Sequence, residues 1–231
     1  MSASLTSEQW AELQSFDTCT LANAIEMLEV RLRNEGFADS SIRSILPCPQ
    51  PVAGNAVTVR IRCSSPPMRG GAYADRTDWW NYILTIPAPR IVVIQDVDES
   101  PGTGSFLGEV HASILKALGC VAAVTNGSVR DVPAIEATGF KLFANHLSVS
   151  HAYVHIVDFG GTVEVGGLTV QPGDYLHADV HGVLSLPKEF AIQLPGIAAS
   201  IQKRERKVIE LCQSPDFTLE KLRTAVRSIF N

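Results

Sequence analysis

Two periods of apolar and polar residues run through this chain, and the switches between them lay out its elements. Near the start, Trp10, Leu13 and Phe16 fall at helical spacing behind Ser7 and Glu8, which suit a helix N-terminus. A second helix is predicted behind a Thr18 or Thr20 cap, with Leu21, Ile25, Leu28 and Leu32 as one apolar stripe. Residues 34–50 keep no period and end in Pro47, Cys48, Pro49 and Pro51, as a connection does. AVTVRIRC alternates and is rich in β-branched residues, so it predicts a strand. In SSPPMRGGAYADRTDWWNYILT the Pro-Pro and Gly-Gly pairs predict an irregular loop. Its Trp79, Trp80 and Tyr82 fit a helix packing aromatics onto the core, or else a lid or subunit contact.

The order then becomes regular. RIVVIQDVD is a continuous apolar run, as expected of a strand covered on both faces. A Gly-Ser loop (PGTGSFLG) follows, then a helix from about Glu109 to Leu118, which Gly119 ends. VAAVTNG predicts a strand and turn, Pro133 opens a short helix after Asp131, and KLFA predicts a third strand. This βαβαβ order implies parallel strands. From Tyr153 the texture changes to YVHIVDF, TVEV, LTV, YLHADV and GVLSL, short strands separated by Gly160-Gly161, Gly166-Gly167 and Pro172-Gly173-Asp174. Helical segments at roughly 195–212 and 218–230 close the chain. The expectation is one α/β domain over residues 1–231, β-rich in its second half, with helical ends at about 1–33 and 195–231.

Composition narrows the function classes. With 231 residues, 45% of them hydrophobic, the chain has the material for a sizeable core. A net charge of −5 argues against a nucleic-acid surface. The one dense basic run, Lys203, Arg204, Arg206 and Lys207, is broken by Glu205 and reads as a solvated helix face. Five scattered cysteines without CxxC spacing fit neither a disulfide framework nor a zinc ribbon, and suit a reducing compartment. MSASLTSEQW lacks the basic-then-apolar pattern of a signal peptide, and no apolar run approaches membrane-spanning length. A cytoplasmic protein with no membrane partner is expected.

Candidate chemistry sits after the parallel strands, because open α/β sheets bind ligands beyond their strands' carboxyl ends. Arg130 and Asp131 occupy that place, behind a turn at Gly127. Arg130 offers a planar fork for a carboxylate, and Asp131 is a hard oxygen ligand for Mg²⁺ or Mn²⁺. The same dipeptide fits equally a helix cap paired with an arginine. The loop GTGSFLGEV should open on the same edge, where the amides of Gly108, Glu109, Val110 and His111 at a helix N-terminus make an anion site. Glu109 is either a partner of the helix dipole or a proton relay. Other candidates are weaker. His151 and His155 lie in a strand-like pattern that does not suit a metal pair, His177 and His181 straddle a turn, and Cys120 reads as a small core residue. No GxSxG, P-loop, HExxH or dinucleotide fingerprint is present.

The spacing from Gly108-Glu109 to Arg130-Asp131 resembles the acidic-x20-Arg-Asp signature of the class II 4-hydroxy-4-methyl-2-oxoglutarate/4-carboxy-4-hydroxy-2-oxoadipate aldolases, which belong with the RraA-like proteins. FDTCTLANAIE, GNAVTVR, RIVVIQDVD and LTVQPGDYLHADVHGVLSLP are similar too, so the resemblance covers roughly residues 14–190. It implies a layered α/β/β sandwich resembling the swivelling phosphohistidine domain, assembled as homotrimers or hexamers, with Mg²⁺ or Mn²⁺ at a site between subunits. Carried over, Asp131 would ligate the metal. Arg130 would contact the carboxylate and keto oxygen of a pyruvyl substrate, the amides from Gly108 to His111 would hold its carboxylate, and Glu109 would orient a metal-bound water. The implied reaction is cleavage of a 4-hydroxy-2-oxo acid to pyruvate through an enolate, with oxaloacetate decarboxylation alongside. Glu109 departs from the Asp of the best-studied aldolases, and Ala134 replaces an acidic residue some of them carry. RraA-like relatives that bind a ribonuclease are the alternative, as is another metal-dependent 2-oxo-acid enzyme on the same scaffold. The non-enzymatic relatives tend to lack the Arg-Asp pair that this chain keeps.

Overall fold

The computed structural model describes residues 4–67 and 76–230. The Gly70-Gly71 pair of the expected loop lies outside them. Helices α1 (Ser7–Leu13) and α2 (Thr18–Glu26) open the chain, and β1 (Arg43–Ser44) and β2 (Val52–Arg62) follow. Next come α3 (Thr77–Thr85), β3 (Arg90–Asp96), β4 (Ser105–Leu107), α4 (Glu109–Ala117), β5 (Cys120–Val129), α5 (Val132–Thr138) and β6 (Lys141–Leu147). The remainder is β7 (His155–Phe159), the hairpin β8 (Val163–Val165) and β9 (Leu168–Val170), β10 (Tyr175–Asp179), β11 (Gly182–Leu186), α6 (Leu194–Gln213) and α7 (Leu219–Phe230).

The main sheet runs β1-β6-β5-β3-β2-β10-β11, with β4 added beside β5 and β7 beside β2. Strands β2, β3, β5 and β6 pair in parallel, as the βαβαβ reading required. Layering follows from alternation along β3. Val92 and Ile94 face one core with Trp79 and Ile83 of α3, Leu115 of α4 and Ile135 of α5. Ile91 and Val93 face the other, against Val163 and Val165 of β8 and Leu168 and Val170 of β9. Helices cover one face and a β-hairpin the other, which is the expected α/β/β sandwich. A third cluster joins Trp10, Leu21 and Ile25 to Tyr175, Leu186 and Ile201, so α1, α2 and α6 pack on β10 and β11.

Local details correct the sequence reading at several points. Thr6 caps α1, in a capping box with Gln9, and Ser7 is already helical. Asp17 caps α2 by accepting from Thr20 N–H. That helix stops at Glu26, so Leu32 is exposed and the apolar stripe is cut short. Trp79 is buried, stacked on Tyr82 at 5.8 Å and close to Phe159 at 5.6 Å, so this aromatic segment is a helix packed on the core. No helix among the described residues is long and apolar enough to cross a membrane.

Candidate functional site

The site is assembled where β5 changes partner. Over Cys120–Thr125 it pairs with β3, and at Ser128–Val129 it pairs with β4. The Asn126 side chain spans the transition, accepting from Asp96 N–H at 2.7 Å and donating to Asp96 O at 3.0 Å. The expected Gly-Ser loop therefore ends in a short strand, and the expected turn at Gly127 is an irregularity inside one. Gly127 packs against Asp96, where a β-carbon would meet the Asp96 Cβ at 3.2 Å. Leu107 thus pairs with Val129, and Arg130 N–H donates to Leu107 O at 3.0 Å. Whatever follows Leu107 must then lie beside whatever follows Val129.

These followers are Gly108-Glu109 and Arg130-Asp131. Asp131 Oδ2 accepts from Glu109 N–H and from Arg130 Nε, each at 3.2 Å. A β-carbon at Gly108 would stand 2.6 Å from Asp131 Oδ2, so the absence of a side chain at 108 lets the two segments meet. Asp131 occupies the N-cap position of α5 but makes no side-chain cap there, and its backbone is left-handed at φ 55°. Its carboxylate instead serves the N-terminus of α4, whose own N-cap, Gly108, has no side chain to offer. Both hydrogen bonds hold the Asp131 carboxyl below the usual carboxylate range, the Glu109 amide foremost. An ionised, half-exposed carboxylate results.

Around this pair the α4 amides from Glu109 to His111 precede the helical ladder, which begins with Ala112 N–H to Gly108 O at 2.9 Å. They make the cation-like end of α4 and face the side on which Asp131 lies. Glu109 and Val110 are exposed on the first turn. His111 turns inward instead. Its ring lies 4.8 Å from Phe106, and burial, reinforced by the nearby His151, lowers its pKa to about 4. On the far side of Arg130, Nη1 reaches Val149 O and His151 Nδ1, each at 3.5 Å.

The sequence reading paired His151 with His155 and missed the contact to Arg130. His155 starts β7 and its Nδ1 lies 2.9 Å from Tyr153 O, so the two histidines do not form a joint site. No spacing rule signals a contact across 21 residues; only the return of the β6–β7 connection to the β4 edge produces it. The other weak candidates are structural. His177 is fully buried, with Nδ1 2.9 Å from Thr18 Oγ1, and His181 Nδ1 pairs with Asp179 at 3.0 Å. Burial pushes the Cys120 thiol up to about 12, so it is inert at neutral pH.

Among the described residues, two places hold groups that suit a cation. Cys63, Asp96 and Asp98 cluster within 4.8 Å, but all three are buried. Asp98 already accepts from Cys63 N–H, Ser64 N–H and Ser64 Oγ, Asp96 accepts from Gly102 N–H, and the Cys63 thiol is raised to about 12. Those atoms are committed to fixing the loop after β3. Asp131 Oδ2 also accepts two hydrogen bonds, but this carboxylate is exposed, which suits Mg²⁺, an ion that keeps most of its waters and takes one or two carboxylates plus substrate oxygens.

The RraA-like family (Aldolase/RraA) matches residues 18–185. An uncharacterised protein of Methanocaldococcus jannaschii is 28% identical over 174 residues, 74% of this chain and 77% of its own length. A putative 4-hydroxy-4-methyl-2-oxoglutarate aldolase of Halalkalibacterium halodurans is 26% identical over 102 residues, 44% of this chain and 48% of its own. Among solved structures, an uncharacterised protein of Pseudomonas syringae superposes with a TM-score of 0.74 at 22% identity, covering 97% of this chain and 96% of that one. A Streptomyces coelicolor protein, an unusual member of the RNase ES inhibitor RraA family, superposes with a TM-score of 0.68 at 20% identity, covering 88% and 96%. The chain belongs to the RraA-like family, which includes both aldolases and RraA regulators.

Proposed function

We propose that the protein is a divalent-metal-dependent lyase that cleaves 4-hydroxy-2-oxo acids to pyruvate through an enolate, with oxaloacetate decarboxylation as a side activity. One observation carries this reading: the Asp131 carboxylate lies between the Glu109 amide and the Arg130 guanidinium, 3.2 Å from each. An anion-binding helix end, an anion-binding fork and a cation-binding carboxylate therefore share one exposed corner. A site built only to bind a protein partner has no need of that combination.

Breaking the C3–C4 bond sends its electron pair toward C2, and negative charge collects on the C2 oxygen. Asp131 would hold Mg²⁺ or Mn²⁺, which when bound would supply Lewis-acid stabilisation of that charge. Arg130 supplies N–H donors on the same oxygen and on the carboxylate, where they act before and during cleavage without rearranging. The first-turn amides of α4 orient the carboxylate. Glu109, at the mouth of the helix, orients the water that returns a proton to C3, while the 4-hydroxyl proton leaves to a base. Val149, whose carbonyl meets Arg130, and Leu147, paired with Val129, expose apolar surface, which suits a neighbouring subunit in a homotrimer or hexamer. Five free thiols suit a reducing, cytoplasmic setting.

The test is pyruvate release from 4-hydroxy-4-methyl-2-oxoglutarate and from oxaloacetate, with Mg²⁺ and with chelator. Turnover that needs the metal, and that falls at least about a hundredfold in Arg130→Ala, is expected. No metal-dependent turnover of either acid would remove the lyase reading.

A further inference from the structure

The segment between β6 and β7 is folded back onto the site with more hydrogen bonding than a connection requires. Ser148 N–H donates to Val129 O at 3.1 Å, one residue before Arg130. Ser105 N–H of β4 donates to Ser150 O at 3.0 Å, Ala152 N–H donates to Ser150 Oγ at 3.0 Å, and Val154 N–H donates to His151 O at 3.1 Å. Ala152 is held at φ 49°, a left-handed backbone that alanine adopts only where its surroundings impose it. This tight turn is tied to both strands that carry the clamp. What it delivers is His151 Nδ1 and Val149 O, both against Nη1 of Arg130.

At 3.5 Å from Arg130 Nη1, His151 Nδ1 can share a hydrogen bond in one tautomer alone. Guanidinium nitrogens only donate, so Nδ1 must accept, which places the imidazole proton on Nε2. Arg130 is then held from two sides: Nε by Asp131 and Nη1 by His151 with Val149 O. A fork gripped at both of those atoms has its plane set, and the remaining N–H groups keep one direction. Without the Nη1 partners, rotation about the last side-chain bonds would sweep those donors across the site.

We propose that His151 is a positioning residue for Arg130, its Nδ1 orienting the guanidinium toward the pyruvyl oxygens. The proposal rests on the lyase reading for its substrate, but the orientation itself can be measured without turnover. Three variants separate the possibilities. Asn places an amide oxygen near the Nδ1 position, Gln places its polar atoms near Nε2, and Ala has neither. His151→Ala and His151→Gln are expected to lower kcat/KM for the pyruvyl acid about ten- to a hundredfold, the usual effect of removing a partner that orients a site group. His151→Asn is expected within about threefold of wild type, with unchanged thermal melting in all three. In parallel, the ¹⁵N relaxation of the Arg130 Nε–H signal, assigned by its loss in Arg130→Ala, should show increased mobility in Ala and Gln but not in Asn. Equal mobility in wild type and Ala, or equal kinetics of Asn and Ala, overturns the proposal. If wild type releases no pyruvate, the lyase reading falls, and the relaxation comparison alone decides whether His151 positions Arg130.

Discussion

At position 108 a single methyl group would come between the two segments that carry the candidate site. Gly108 is the place where a β-carbon would press to 2.6 Å on Asp131 Oδ2 and 3.2 Å on Arg130 Cγ. Gly108→Ala should therefore push the pair aside by a few tenths of an ångström or more. Misplacement of this order at a reacting centre costs up to about a hundredfold in rate. The site is half exposed, so the fold should tolerate the change, with less than about 1 kcal/mol lost in urea titration. A variant with wild-type kcat/KM would show that the contact between the two segments is incidental. The glycine, the amides and the Arg-Asp pair were all legible in the sequence because each is a local feature at a strand end. The role of Asp131 as a cap was only half legible. The dipeptide allows either a cap for the helix it begins or a metal ligand, whereas the carboxylate crosses to α4, and nothing within α5 announces that.

At the level of elements, the site depends on β5 releasing β3 and accepting β4. The apolar runs mark β3 and the first part of β5, and the βαβαβ order gives their parallel pairing. The three-residue β4 was hidden in a Gly-Ser loop, since Ser105–Leu107 carries no alternation long enough to register. Asn126-Gly127, a dipeptide that usually marks a turn, hides the continuation of β5 to Val129. Asn126 resolves the conflict by bonding both backbone groups of Asp96 with its side chain. Asn126→Ala leaves the Asp96 N–H and C=O without these partners and should destabilise the fold by about 1–3 kcal/mol. Chemical denaturation measures this directly; a loss under about 0.5 kcal/mol would mean that the strand switch does not need the amide.

Across the whole molecule, burial of two histidines makes stability depend on mildly acidic pH. His177 lies in the seam between α2 and β10, beside Asp17 and Asp179, and burial lowers its pKa from the ordinary 6.5 to about 4. His111 is lowered to about 4 as well. Both are neutral in the fold, whereas the unfolded chain takes up their protons as pH falls below about 6.5. Their stability contribution is therefore intact above that pH and drains away toward pH 4, by up to about 3 kcal/mol for each histidine. His177→Gln should flatten the fall in unfolding free energy between pH 6.5 and 4 by close to one proton. An unchanged slope would contradict neutral burial of His177. His177 drew attention in the sequence as half of an ambiguous pair, because burial depends on α2 packing over β10, a contact across 159 residues.

The site proposed at Asp131 and its neighbours binds a metal and a 2-oxo carboxylate together. Oxalate is a planar stand-in for the pyruvate enolate, and calorimetric titration of oxalate reads that joint binding without catalysis. Wild-type protein should bind oxalate with Mg²⁺ present and lose at least about a hundredfold in affinity with chelator. Asp131→Asn keeps the side chain's shape and tolerates the left-handed backbone, so it should fold and melt as wild type yet bind no better with Mg²⁺ than without it. Oxalate affinity that ignores Mg²⁺ in wild type, or that persists with its Mg²⁺ dependence in Asp131→Asn, would contradict joint binding at Asp131.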